Sequence, residues 1–202
     1  MATVWVSSQY PHGDRRRVAE WINYDPKKVH IIGNRIGGGF GGKIVGYSGA
    51  EAAQISKYLK QPVKYVYSRK DVFIRRGRAK DACIIDLKTG VDDNGLITSR
   101  HYDVYLDEGN GFTDVYKVPN SLVQRFFFEM PVRHATIRGT SFAQDVFAME
   151  SHIDELAAAI KMDPVQFRYN NVHLDAFRDL IDAVMEMSNY YGYQPPDENH
   201  GL

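Results

Sequence analysis

Five of the six residues from Gly37 to Gly42, in the order GGGFGG, are glycine. Such density costs chain entropy unless the backbone takes left-handed angles or passes close to something. N–H groups freed in a loop of this kind, ahead of a helix, make a cradle for an anion or an oxo group. A tight packing turn is the plainer alternative. Gln9 stands at the polar end of a short apolar run. Two familiar patterns match the loop by letter. Gly37, Gly39 and Gly42 satisfy G-x-G-x-x-G, but the stretch Lys57 to Tyr67 holds no acid where a dinucleotide ribose needs one. Gly37, Gly42 and Lys43 satisfy G-x-x-x-x-G-K, yet Ile44 stands where a magnesium-holding Ser or Thr is required. A nucleotide- or phosphate-binding module using the Gly37–Lys43 loop is thus one competing reading, and a non-catalytic scaffold remnant is another.

The elements that must position these residues follow from periodicity. Val4 to Ser7 reads as a buried strand that places Gln9 at its end. Asp14 reads as the cap of a helix running to Ile22, and Val29 to Ile32 as a second strand leading into the glycine loop. Ala50 to Leu59 reads as the helix after it. Alternation at Val63, Tyr65 and Tyr67 predicts a strand, and Asp93-Asn94-Gly95 predicts the turn of a hairpin over Ala82–Leu106. Gly109 to Asn120 reads as a loop. Phe142, Val146, Met149, Ile153, Leu156 and Ile160 form one apolar helical stripe. Asp163, Pro164 and Gln166 mark a capping box with a Met162–Phe167 staple, and Phe177 to Val184 a further helix. The stretch from Pro195 to Leu202 reads as a flexible tail.

Composition bounds the function. Lys plus Arg and Asp plus Glu number 25 each, so no long-range field draws the chain to nucleic acid or an anionic membrane. The runs Arg15-Arg16-Arg17 and Arg75-Arg76-Gly77-Arg78 read as solvated surface. The lone Cys83 allows neither an internal disulfide nor a cysteine-built iron–sulfur site. Nothing resembles a membrane span or a signal peptide, and the expected location is the cytoplasm.

Three blocks, in order, carry a resemblance: Ser7-Ser8-Gln9; RIGGGFGGK at Arg35 to Lys43; and IRGTSFAQDVFAMESHIDELAAAIKMDPVQFR at Ile137 to Arg168. Together they resemble the molybdopterin-binding large subunit of the xanthine dehydrogenase/aldehyde oxidase family, from Val4 to about Val172. The resemblance implies an α+β fold with mixed or antiparallel sheets packed with helices. Residues 1–172 would be a partial molybdenum-cofactor-binding domain, divisible into two lobes near 110–120, with 173–202 a C-terminal helix and tail. It also implies a molybdenum-dependent oxidoreductase that hydroxylates an aldehyde or a heterocycle with water.

Site roles follow by the same resemblance. Gln9 matches the glutamine that hydrogen-bonds an oxygen ligand of molybdenum. Phe40 and Gly41, flanked by Gly39 and Gly42, match the pair whose backbone amides approach that ligand and the pterin, and Arg138 matches a loop position presenting its backbone near the metal. No residue of the chain is a direct metal ligand. The family's base is a glutamate near the far C-terminal end of the subunit, and no stretch here matches it. Glu150, Asp154 and Glu155 lie within a helix and read as structural. Purine-oxidising members place a glutamate where this chain has Ile44, which disfavours xanthine and favours an aldehyde or another apolar substrate. The copper-binding cysteine of carbon monoxide dehydrogenases has no counterpart between Ile137 and Ser141. The implied partners are the remainder of the large subunit, iron–sulfur and FAD-bearing subunits or domains, and a small-molecule substrate, with the isolated chain inactive.

Overall fold

In a computed structural model, residues 1–44, 46–76, 80, 82–107, 114–129 and 136–190 are described. The residues Gly77 and Arg78 of the second basic run, Gly109 to Thr113, and the tail from Tyr191 lie outside them. The chain divides into two compact units, one of Met1–Asp81 with Met130–Thr140 and one of Ala82–Glu129 with Ser141–Leu202. Sequence places a lobe boundary near 110–120 instead. Glycine-rich composition marks a connection there but not a change of unit, because the strands on either side of it pair with each other.

Unit 1 begins as a strand–helix–strand. β1 (Ala2–Val6) and β2 (Val29–Gly33) pair in parallel, joined by α1 (Pro11–Ile22). Period-2 alternation sends Val4 and Val6 inward and leaves Trp5 exposed. Val18, Ala19 and Ile22 of α1 meet them, as do Ala50 and Ala53 of α2 (Tyr47–Leu59). A Cβ built on Gly49 would lie 3.4 Å from Val4, so small residues let α2 sit close against the strand. Asp14 does not cap its own helix, which starts at Pro11. It is buried inside α1, and its carboxylate accepts the Gly46 N–H at the start of α2 (3.0 Å). The competing demand is a buried N–H elsewhere that requires an acceptor. The alternation at Val63, Tyr65 and Tyr67 survives as half-buried against exposed positions, but no strand forms, because no partner ladder lies beside it among the described residues. A helix that the sequence did not signal, α3 (Arg69–Arg76), follows.

Unit 2 holds a three-stranded sheet. β3 (Cys83–Val91) and β4 (Ile97–Leu106) form the expected hairpin, whose turn is fixed by Asp92 Oδ1 accepting from the Asn94 and Leu96 amides. β5 (Asn120–Phe127) adds to β4 in parallel and was not foreseen. Tyr102, Val104 and Leu106 on one sheet face meet Met149, Ile153 and Ala157 of α4 (Phe142–Ala159). The expected stripe of α4 is therefore rotated: Phe142 and Val146 are exposed, and Asp145 is buried, accepting from the Tyr102 hydroxyl. A buried carboxylate with a phenol donor occupies the place an apolar side chain would have taken. α5 (Pro164–Asn171) starts on Asp163, which accepts from the Val165 and Gln166 amides, while the Gln166 side chain bonds Asn170 instead of closing a capping box. α6 (Asp175–Ser188) is the last element among the described residues.

Acid sensitivity of unit 2 follows from His152, whose Nε2 lies 3.0 Å from Thr89 Oγ1. Burial first, then the Arg100 charge, hold its pKa below the usual histidine value of 6.5, against an opposing pull from Glu155. The unfolded state thus binds the proton more tightly, so stability is full above that value and is lost as pH falls through the folded pKa. His152→Gln, which keeps a polar partner for Thr89, is expected to flatten the acid limb of a plot of Tm against pH. An unchanged acid limb would show that another group sets it.

Candidate functional site

The end of β1 and the glycine loop are stitched together through Gln9. Its side-chain Oε1 accepts from the backbone N–H of Gly41 (3.0 Å) and of Lys43 (3.1 Å), while its own N–H donates to the Lys43 carbonyl (2.9 Å). Two backbone donors on one side fix the amide's orientation, so the NH₂ end points away from the loop's own donors. Among the described residues no acceptor takes that NH₂. Gly39 lies flush on this side chain: a Cβ there would sit 2.2 Å from Gln9 Oε1.

Left-handed angles run through the loop, at Gly37 (φ +64°), Phe40 (φ +49°) and Gly41 (φ +91°). Phe40 is the non-glycine exception, and its ring is 63% exposed, so packing does not account for the strain. The loop is less open to a ligand than glycine content alone suggests. The amides of residues 41 and 43 go to Gln9, that of Gly42 to the Gly39 carbonyl (2.8 Å), and that of Ile44 to the Gly41 carbonyl (3.1 Å). The Phe40 N–H donates to no acceptor among the described residues. The expected donor pair is therefore redistributed: Phe40 keeps its amide available, whereas the Gly41 amide orients Gln9.

A second segment of the same unit backs the loop. A Cβ on Gly41 would meet the Thr136 carbonyl oxygen at 2.3 Å, and the Arg138 guanidinium lies 5.8 Å from the Phe40 ring centroid. The Arg138 turn closes with the Thr140 N–H on the Ile137 carbonyl (2.7 Å), and Lys80 Nζ donates to the Arg138 carbonyl (2.8 Å). The structure thus brings Gln9, Gly39, Phe40, Gly41, Gly42 and Arg138 into one neighbourhood of unit 1.

Sequence reasoning missed Ser7, Lys43 and Lys80 as supports. Lys43 Nζ donates to Ser7 Oγ (3.0 Å) and to the Ile36 carbonyl, tying the strand end to the entry of the loop. The signal was present, since Ser7 and Lys43 bracket the quoted motifs, but a lysine after a glycine loop reads first as a phosphate ligand. Its ammonium is committed to protein oxygens of Ser7 and Ile36. Lys43→Met is expected to destabilise unit 1 by about 1–3 kcal/mol through loss of these charged hydrogen bonds. Urea unfolding followed by tryptophan fluorescence checks this, because both tryptophans, Trp5 and Trp21, lie in unit 1. A midpoint equal to the parent's would contradict it.

The carboxylates of α4 are occupied elsewhere. Glu150 accepts from the Tyr116 hydroxyl (2.9 Å) and from Arg168 Nε (2.8 Å), and Asp154 from Arg168 Nη1 (2.6 Å). Burial, with Glu150 adjoining, pushes the Tyr116 phenol well above its usual range, which keeps it a donor. This is an ion-pair network of unit 2, and none of the residues gathered around Gln9 is a carboxylate.

The family described as molybdopterin cofactor-binding domain matches residues 1–172. The chain belongs to that family. Among relatives of this molybdopterin-binding chain, the nicotinate dehydrogenase large molybdopterin subunit of Eubacterium barkeri is 30% identical, over 93% of this chain and 48% of its own length. The aldehyde oxidoreductase molybdenum-binding subunit PaoC of Escherichia coli (strain K12) is 27% identical, over 98% of this chain and 30% of its own. In fold, quinoline 2-oxidoreductase from Pseudomonas putida 86 superposes with a TM-score of 0.82 at 20% identity, covering 93% of this chain and 28% of that one. The α+β arrangement expected for a molybdopterin-binding chain is thus shared with a solved oxidoreductase. The chain spans about half the length of the first of these relatives and under a third of the others. Among the described residues no helix is long and apolar enough to cross a membrane.

Proposed function

We propose that this chain is the part of a molybdenum hydroxylase large subunit that forms one wall of the cofactor site, in an oxidoreductase hydroxylating an aldehyde or a heterocycle with water. The observation that carries the reading is the Gln9 clamp, in which one side chain orients the loop through Oε1 and turns an uncharged donor outward. The cradle fits a large group with electronegative atoms at its rim: two donors, the Gln9 NH₂ and the Phe40 N–H, lie beside glycines whose missing Cβ atoms keep the backbone close. When bound, the molybdenum–pterin group supplies two-electron redox chemistry and Lewis acidity.

This chain's residues bind and orient. Gln9 and the Phe40 amide hold the group by hydrogen bonds, Gly39 and Gly41 allow the approach, and Arg138 with Phe40 walls the loop on the side of Thr136. Proton abstraction belongs to another part of the large subunit, since none of the described residues gathered around Gln9 is a carboxylate. With a single cysteine, iron–sulfur centres belong to partner subunits or domains, as does FAD. Ile44, aliphatic and directly after Lys43, favours an aldehyde or weakly polar heterocycle over xanthine.

Metal analysis tests the reading. The isolated chain is expected to hold no stoichiometric molybdenum and to show no turnover, and to retain the cofactor only together with the remaining large-subunit sequence. Tight molybdenum binding and turnover by the 202 residues alone would falsify this.

A further inference from the structure

One strand of unit 2 is left uncovered in a way a finished sheet does not tolerate. β5 lies at the edge of the sheet order β3-β4-β5, and no strand pairs with its outer side among the described residues. Of its eight residues seven are exposed, so both faces and one row of backbone N–H and C=O groups meet solvent. Proteins blunt such edges with charges, proline or bulges. β5 has none of these beyond Arg125, and its register to β4 is continuous. Instead it presents Leu122 (52% exposed) and Phe127 (66% exposed), followed by Phe128 (40% exposed). Leu122 and Phe126 share one face of the strand with Gln124, where Phe126 stacks on Tyr105 of β4 with centroids 4.8 Å apart. Val123, on the other face, packs on the core, so the strand is held in place while its rim stays bare.

We infer that the outer edge of β5 is the seam along which an extended strand of the polypeptide carrying the rest of the large subunit adds to this sheet. The inference rests on the proposed reading of the chain as one portion of such a subunit. The occupant follows from length. Relatives that align with nearly all of this chain have 48% and 30% of their own length accounted for by it, so more than half of each lies outside the matched part and can supply a strand to pack on it. Strand addition supplies main-chain hydrogen bonds for the bare edge, and alternate apolar side chains of the incoming strand meet Leu122 and Phe126 on one face and Phe127 on the other.

The experiment uses the complex purified from the native host through a tag on this chain, with its polypeptides identified by mass spectrometry, and the chain alone. Hydrogen exchange is read at the amides of residues 120–127. Exchange at the outward-facing amides among them is expected to slow by at least roughly tenfold in the complex, while in the free chain these stay unprotected at every concentration, because only the outer amides gain partners. Phe127→Asp, a charge on an already exposed side chain, is expected to leave the far-UV spectrum unchanged and to weaken the complex by at least about tenfold. A large-subunit complex in which these amides exchange as in the free chain overturns the inference and leaves the proposed function standing. Protection that grows with the concentration of the chain alone makes a second copy the occupant and overturns it too. Failure to find any large-subunit polypeptide in the complex overturns both.

Discussion

Gly41→Ala is expected to lower the molybdenum content of the assembled enzyme at least tenfold. At φ +91° an L residue is strained, and the added Cβ meets the Thr136 carbonyl oxygen at 2.3 Å, a backbone atom that no rotamer change can move. Relief requires the glycine loop or the Thr136 segment to shift. The first motion takes the Gly41 N–H from Gln9 Oε1, and the second moves the chain two residues before Arg138. Either one disorganises the donors proposed to face the cofactor. Unit 1 should also lose about 1–3 kcal/mol of stability from strain at a special backbone angle. Gly37→Ala is the control. It too has a positive φ, of 64°, but nothing lies within 4 Å of its added Cβ, so its cost should be confined to about 1–2 kcal/mol of local strain with molybdenum retained. Metal analysis of the purified complex separates the two variants, and full molybdenum in Gly41→Ala would remove this loop from the proposed site.

Asp114→Ala should produce the largest loss of stability in unit 2, about 3–5 kcal/mol, by leaving a buried charge without its partner. Arg100 is 2% exposed, and its guanidinium is paired with Asp114, with Tyr116 alongside at 5.8 Å from ring centroid to Cζ. Asp114 also accepts the Tyr116 N–H at 2.9 Å, so its removal loosens the start of the segment that Tyr116 anchors to Glu150. Adding Arg100→Met to Asp114→Ala should recover most of the loss, because an apolar side chain of similar length needs no counter-charge. Denaturant unfolding followed by far-UV circular dichroism measures both, and additive effects of the two substitutions would show that the pair is not coupled.

Local chemistry made much of the fold legible. Val4 and Val6, the Asp93-Asn94-Gly95 turn and the Asp163-Pro164 start each act through their neighbours in sequence, and each stands where its pattern placed it. Misreadings came from demands made across the chain. Asp14 answers the N–H of Gly46, Asp145 answers the hydroxyl of Tyr102, and the tyrosines near residue 65 alternate correctly but have no ladder to join. β5 escaped notice because a strand exposed on both faces carries no hydrophobic alternation to detect. At the site, residue types and spacing pointed to Gln9 and the glycines. They could not show that the amides of residues 41 to 44 would be bonded internally, which depends on where the Gln9 side chain turns and how the loop folds on itself.

Unit 1 is not continuous in sequence: the chain leaves it after residue 81 and returns at 130. During synthesis Phe40 and Gly41 emerge from the ribosome well before the Thr136 segment that backs them, with the three strands of the sheet made in between. Closing the cradle is a late, long-range event that carries the loop-closure entropy of the whole insert. A nascent chain released anywhere within the sheet would present a glycine loop joined to Gln9 but open behind Gly41, so the proposed cofactor wall is complete only once the segment from Thr136 to Arg138 has been made.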